Sequence, residues 1–437
     1  MIFSRANLGT FATCVAILGC GFVTGVLTAR ILGPVARGEL ATVMLWPIVF
    51  SNLGLLGCNW ALAREVAGDP KREPDYACDA MAVGLTSGLI CFLLGFVLIP
   101  FLLPADKRNL VSLARLCLLF VPVDILNQFL LAIEHGRMRW RRFNFVRASY
   151  YLLYVGLICL VWRSHKIQVI WFVWAFLASQ TLTLCLRLWI QRESFAAGRM
   201  HLDGCRRLVR SGRPFFLTTA TNLVTLQLDK ILVVALLSVD AAGIYAVASA
   251  CSAALTPFGD ALGITSFAIL SNETSSGNRK KILTETFRQS ALVSCCLGGL
   301  IAVLIPFLVQ PVFGPEFSPA ARPAMILAFA ASLTTSSDIL NEGLRGAGRP
   351  YAGLASQLTG GGVMAVAAIL LLGRHGLMGM AWAVLLSSCA QVAVLVIAAA
   401  NWLRISPVHF WPFGAKDVGL FFQQVAALRF RILRSLA

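Results

Sequence analysis

The chain has 437 residues, of which 58% are hydrophobic and 13% charged, and its formal net charge is +17. Soluble domains carry about 25% charged residues, so this composition excludes a large soluble fold and indicates an integral membrane protein. The positive charge gathers in short connections between apolar runs, which argues against a nucleic-acid partner.

Apolar runs of about 20 residues recur along the chain, the length a helix needs to cross roughly 30 Å of hydrocarbon. Helices satisfy their backbone groups internally, and the short alternating segments of a β-barrel are absent. The expected fold is all-α and polytopic, with about 12 transmembrane helices. The spans fall near 7–29, 40–62, 80–103, 110–133, 144–163, 167–190, 212–237, 243–270, 286–309, 323–344, 351–372 and 379–402. The longest polar connections, 64–79 and 191–211, leave no room for a catalytic domain outside the membrane. The expected organisation is a six-helix lobe over 1–190, a linker over 191–211, a second lobe over 212–402 and a basic tail over 403–437.

The first connection carries Gly33-Pro34 and then Gly38-Glu39-Leu40-Ala41, residues suited to a tight reversal. Its counterpart is Gly243-Ile244-Tyr245-Ala246, after an expected turn at Val239-Asp240-Ala241-Ala242. The second span places Asn52 and Asn59 one heptad apart, followed by Arg64. The fourth holds Asp124-Ile125-Leu126-Asn127, with Gln128 and His135 on the face of Asp124 and with Pro122 just ahead. The tetrapeptide returns in the tenth span as Asp338-Ile339-Leu340-Asn341. There Asp338, Asn341, Glu342 and Arg345 follow i, i+3, i+4, i+7 spacing. Six spans separate the copies, which suggests two parallel six-span halves.

The seventh span aligns Thr218, Asn222, Thr225 and Asp229 and ends beside Lys230. The eighth aligns Tyr245, Ser249, Ser252, Thr256 and Asp260, with Pro257 near its end. Polar groups are costly inside a membrane and face protein or a watery cavity. These stripes therefore either line a substrate cavity or hydrogen-bond helix to helix. Arg137, Arg139, Arg141 and Arg142, with Trp140 and Phe143, have the chemistry to gather an anionic headgroup. Ordinary retention of positive charge on the cytoplasmic side is the alternative.

Of the 37 Lys and Arg residues, 27 fall on the side of the N-terminus and nine on the other, with Lys230 inside a span. By the positive-inside rule both termini are cytoplasmic. The tail from Asp417 reads as a basic amphipathic helix on the cytoplasmic leaflet, with Phe421, Val425, Leu428 and Ile432 at helical spacing. The 13 cysteines form no C-x-x-C pair and the five histidines no ligand motif, so no metal site or cofactor is expected. No Walker A, Gly-x-Ser-x-Gly or His-Glu-x-x-His sequence occurs, and no catalytic residue stands out.

Arg30-Ile31-Leu32-Gly33-Pro34, Gln227-Leu228-Asp229-Lys230, Gly314-Pro315-Glu316-Phe317 and Gly343-Leu344-Arg345-Gly346-Ala347-Gly348-Arg349-Pro350 occur here in order among the twelve spans. Together they resemble the polysaccharide transporter family, the O-antigen and exopolysaccharide flippases of the multidrug/oligosaccharidyl-lipid/polysaccharide (MOP) exporter superfamily. The resemblance implies two six-helix lobes related by pseudo-two-fold symmetry around a central cavity, working by alternating access in a bacterial cytoplasmic membrane. The implied substrate is a lipid-linked oligosaccharide, with the bilayer and the polysaccharide polymerase and assembly proteins as partners. Family members often hold basic residues inside the cavity. Here the first and eighth spans lack them, leaving Arg64, Lys230 and Arg345. Coupling to a proton or sodium ion stays open. The alternatives are an ion-coupled small-solute or multidrug exporter, a membrane glycosyltransferase or polymerase, and a non-transporting scaffold.

Overall fold

A computed structural model describes residues 5–256, 275–347, 349 and 351–410, with 259, 263, 266 and 270 standing singly between. The expected tail helix, Asp260 and the side chain of Asn222 lie outside the described residues. Within them all regular structure is helical.

Among the described residues thirteen α-helices follow in order. They are α1 (Arg5–Gly54), α2 (Cys58–Gly68), α3 (Glu73–Leu102), α4 (Val111–Cys117), α5 (Phe120–Gly136), α6 (Trp140–Arg163) and α7 (Val169–Ile190). Then come α8 (Arg192–Ala197), α9 (Leu202–Leu236), α10 (Val239–Ser252), α11 (Ser276–Phe313), α12 (Ala321–Gly346) and α13 (Tyr351–Leu403). Among the described residues eight helices are long and apolar enough to cross a membrane, nine with the bent pair Ala105–Cys117 and Phe120–Gly136.

Two of these helices are double. α1 breaks at Gly33, where φ is 70°, and α13 breaks at Gly376, where φ is 52°. Both angles lie in the left-handed region open to glycine, so each break folds one apolar run into two spans. Counting these and the segment starting at α10, the layout is consistent with twelve spans.

The bend between α4 and α5 is 42°. Its cause is local. Pro122 has no N–H, and its ring crowds the carbonyl of Leu118, where α4 has just ended. Gly88 of α3 makes room for the bend, because a Cβ there would stand 2.8 Å from Pro122 Cα.

Three helix starts lie well ahead of expectation, that of α11 at Ser276 rather than residue 286 among them. α3 begins at Glu73 rather than residue 80, and α9 at Leu202 rather than residue 212. The apolar run marks only the membrane part of each. The turn before the eighth span is also displaced, because Val239-Asp240-Ala241-Ala242 opens α10 and the reversal falls at Leu237-Ser238. Asp240 suits a helix first turn, where a carboxylate meets the positive end of the dipole.

The chain divides into two compact units. Unit 1 comprises Met1–Val247 with Gln310–Phe317, and unit 2 comprises Ala248–Val309 with Ser318–Ala437. In unit 1, α1 packs against α6, α3 and α5, while α5 packs against α3 and α7. Leu85, Leu89, Leu93 and Val97 form an exposed row along α3, spaced every four residues. An apolar exposed face on a long helix is what lipid contact requires. In unit 2, Leu340 and Leu344 of α12 join Leu283 and Phe287 of α11 and Leu395 and Ala399 of α13 in one buried cluster.

Candidate functional site

The polar residues of unit 1 converge on α5. Asp124 is buried, and Ser51 Oγ donates to its Oδ2 at 2.6 Å, while Gln128 Nε2 lies 3.4 Å from its Oδ1. One turn on, Asn127 Nδ2 donates to both the backbone oxygen and Oε1 of Gln180, each at 3.1 Å. Arg187 of α7 is 5% exposed. Its guanidinium donates to the carbonyl oxygens of Asn127 and Val146, tying α7 to α5 and α6. Gln191 Nε2 donates to Leu130 O at 2.9 Å and to Glu134 Oε1 at 3.2 Å.

Charge counting places Arg187 with the basic residues of the cytoplasmic side, yet it is buried and ties three helices together. Glu134, Gln180 and Gln191 also went unnoticed. A usable signal existed. Ser179, Gln180, Thr183 and Arg187 are all buried on α7 and share one helical face, the same kind of stripe that marks the other polar spans.

The basic cluster after α5 separates into two pairs. Arg137 Nε lies 2.5 Å from Glu73 Oε2, and Arg139 Nη1 lies 3.2 Å from Glu73 Oε1 and 3.7 Å from Glu134 Oε1. Glu73 is 3% exposed, so this carboxylate is buried under two half-buried guanidinium groups. Arg141 and Arg142 are exposed. An open cleft of about 400 Å³ lies beside the pair, lined by Lys71, Glu73, Arg137, Arg139, Glu193 and Ser194 among others.

The two long polar connections meet at this place. Ser194 Oγ donates to Glu73 Oε1 at 3.1 Å, Arg199 N to Asp75 Oδ1 at 3.0 Å, and His201 N to Asp79 Oδ1 at 2.7 Å. The segment 191–211 is thus pinned along the first two turns of α3 by that helix's own acidic residues.

The remaining candidates fall as follows. Asn52 Nδ2 donates to Ile48 O at 2.8 Å, Asn59 Oδ1 is buried with no donor to it, and Arg64 is exposed. In α9, Asp229 Oδ2 accepts from Tyr245 Oη at 2.8 Å, and Lys230 Nζ donates to Gln227 Oε1 at 3.1 Å. The adjacent Asp229 and Lys230 therefore hold different partners, as their separation around the helix dictates. In unit 2, Asp338 is exposed, and Glu342 pairs with Arg345 at 2.5 Å. Asn341 Oδ1 is buried without a donor and lies against Gly353, whose missing Cβ leaves it space. No group of three or more His, Cys, Asp or Glu could hold a metal ion among the described residues.

On the side opposite the basic connections two cations reach helix ends. Lys107 is fully buried, and its ammonium donates to Val234 O and, at 2.5 Å, to Leu237 O at the end of α9. Arg30 Nε donates to Val312 O at 2.7 Å and its Nη2 to Pro311 O, at the end of α11. The last carbonyls of a helix have no partner within it and carry partial negative charge, so cations satisfy them.

Residues 8–259 match the family model described as polysaccharide biosynthesis protein. No curated protein sequence matches the chain. Among solved structures, the lipid II flippase MurJ in an inward closed conformation superposes with a TM-score of 0.71 at 12% identity, covering 90% of this chain and 87% of that one. An inward-facing multidrug resistance MATE family transporter of the MOP superfamily gives a TM-score of 0.70 at 14% identity, covering 89% and 94%. A MOP superfamily transporter from Pyrococcus furiosus gives 0.63 at 14% identity, covering 91% and 93%. All three are transporters or flippases, not enzymes. The family match spans more than half of the sequence. The chain is therefore a multi-pass membrane member of the polysaccharide biosynthesis protein family, built on the fold of MOP-superfamily transporters.

Proposed function

We propose that this protein is a flippase that carries a polyprenyl-diphosphate-linked oligosaccharide from the cytoplasmic to the outer leaflet of a bacterial cytoplasmic membrane. Both termini are cytoplasmic in this reading. The product feeds cell-surface polysaccharide of the O-antigen or exopolysaccharide type, with polymerase and assembly proteins acting downstream. The observation that carries the reading is the polysaccharide biosynthesis match over residues 8–259. The likeness to a structure named as a lipid II flippase supports it at the level of fold.

The physical task agrees with the chemistry of these residues. A diphosphate and its sugars cannot cross hydrocarbon unaided, so protein groups must replace their water. A six-helix lobe over 1–190 and another over 212–402, joined by 191–211, alternate access to a polar path. Arg141, Arg142 and Arg64 are exposed cations on the cytoplasmic side and are free to meet phosphate there, whereas Arg137 and Arg139 serve Glu73. An inside-negative potential favours outward movement of negative charge by about 2.3 kcal/mol per charge per 100 mV.

The second reading is a small-solute or multidrug exporter, favoured by the likeness to the MATE transporter. One assay separates the two. Cells lacking the protein are tested for lipid-linked oligosaccharide trapped on the cytoplasmic face. Proton and sodium gradients are then collapsed in turn to identify any coupling ion. Trapped intermediate that is released by the restored protein supports the flippase. Normal sidedness together with lost solute efflux supports the exporter.

A further inference from the structure

We propose that α2 and the junction of α5 with α6 form a binding site for the glycosyl diphosphate end of the carried lipid, where aromatic rings hold its first sugar. This site deepens the flippase reading above and rests on it. Every residue in it lies inside unit 1.

Four rings gather here. Trp60 of α2 stands 6.4 Å from His135 of α5, and Trp140 and Phe143 of α6 stand 5.8 and 5.4 Å from the same histidine. Two breaks in the helices bring them together. Leu56 and Gly57, with φ of 51° and 71°, separate α2 from α1, and Met138, with φ of 54°, turns the chain from α5 into α6. Side chains other than glycine rarely hold that conformation, and where they do the surroundings fix it. Trp60 is 51% exposed. Arg64, one turn later on the same face of α2, is exposed as well. Among the described residues neither Arg64 nor the exposed Arg141 and Arg142 beside Trp140 forms an ion pair.

Aromatic residues at a membrane interface serve as plain anchors when their rings meet only lipid. Two features set this cluster apart. Neither ring nitrogen of His135 finds a hydrogen-bond partner among the described residues, and neither is shut away from solvent. A polar ring held among three aromatic rings with its nitrogens open suits a sugar hydroxyl, which both donates and accepts. The second feature is the open face of Trp60. Lys166 lies 3.8 Å over Trp171 and Arg192 lies 5.2 Å from Trp189, whereas no cation stacks on Trp60 among the described residues, although Arg64 is one turn away. Ring face and guanidinium therefore stand side by side, each available. A pyranose presents a C–H face that packs on an aromatic ring, and in a glycosyl diphosphate that sugar is bonded directly to phosphate. Arginine takes the phosphate through its forked donors, about 6 Å along the helix from the ring, four residues on. A phospholipid would use the arginines and leave the rings idle.

The test is equilibrium binding to the full-length protein in nanodiscs of phosphatidylethanolamine and phosphatidylglycerol. The probes are farnesyl diphosphate and farnesyl diphosphates bearing one glucose, galactose or N-acetylglucosamine. The wild-type protein should bind a sugar-bearing probe about tenfold more tightly than farnesyl diphosphate. Trp60→Leu and Trp140→Leu should each erase that preference and leave the affinity for farnesyl diphosphate within about twofold. Trp60→Phe, which keeps a ring, should keep the preference. Arg64→Gln should weaken every probe about tenfold, the loss of a charge-assisted bond. Equal affinity of the wild-type protein for all four probes would overturn the site. A preference that survives both leucine variants would overturn it too, and leave the rings as interface anchors. Normal glycolipid sidedness in cells lacking the protein, with the sugar preference intact, would sink the flippase reading and leave the site standing. Trapped glycolipid that Trp60→Leu and Trp140→Leu release as well as the wild type would do the reverse.

Discussion

The sequence writes Asp-Ile-Leu-Asn twice, and the two copies live in different chemistry. In α5, Asp124 is buried under Ser51 and Gln128, and Asn127 is bonded through side chain and backbone to Gln180 and Arg187. In α12, Asp338 is exposed, and Asn341 presses an unpaired amide oxygen against Gly353. The neighbours explain the contrast. α7 brings the buried Arg187 and the amide of Gln180 to the first copy, whereas α13 faces α12 with hydroxyl groups, Ser388 standing 3.0 Å from Thr334. Unit 1 is tied by charge and amides, and unit 2 by small hydroxyls and close backbone approach. A repeated tetrapeptide thus marks a repeated position, not a repeated role.

The difference can be broken most severely at Arg187. Arg187→Ala removes two charge-assisted hydrogen bonds that tie α7 to carbonyls inside α5 and α6, at ~1–3 kcal/mol each. The folded protein should lose about 2–6 kcal/mol, read as a large fall in thermal unfolding temperature in detergent. An unchanged transition would remove the network from the account. The wedge in the other copy comes next. Gly353→Ala drives a methyl group into Asn341 and should cost about 1–3 kcal/mol, whereas Asn341→Ala relieves an unpaired acceptor and should cost much less. Equal losses from the two would show that packing alone governs that contact.

The aspartates sharpen the comparison directly. Asp124→Asn weakens a charge-assisted bond from Ser51 and should lower stability by about 1 kcal/mol. Asp338→Asn, on a carboxylate whose interactions solvent screens, should cost less than Asp124→Asn. Equal effects in chemical denaturation would erase the distinction. The smallest stability effect is expected at Arg141 and Arg142, where alanine should leave unfolding unchanged but slow transport. Alanine at Arg137 or Arg139 should instead destabilise, by stripping Glu73 of a partner. A reversal of that pattern would move the headgroup site to the Glu73 cleft.

Much of the fold was legible because membrane spans advertise themselves by length and hydropathy. Gly33 lay at an expected reversal, and Pro122, a residue type that bends helices, stands at the observed 42° bend. Helix ends outside the apolar run were not legible, since Arg206, Arg207, Arg210 and Arg213 continue α9 as a polar extension that hydropathy cannot see. Side-chain partnerships were less legible still. Arg187 meets Asn127 from 60 residues away and Lys107 meets Val234 from 127, with no local pattern to announce either. Counting charge tells which side a cation prefers, but not whether a helix end has claimed it.

Release of lipid-linked oligosaccharide to the outer leaflet is the central claim, and sidedness tests it most directly. Sealed vesicles of known orientation, loaded on the cytoplasmic leaflet with a polyprenyl-diphosphate oligosaccharide, would be probed with a membrane-impermeant glycosidase on the opposite side. The account predicts time-dependent cleavage with the wild-type protein and slower cleavage with Arg141→Ala and Arg142→Ala combined. Cleavage no faster than in protein-free vesicles would contradict it.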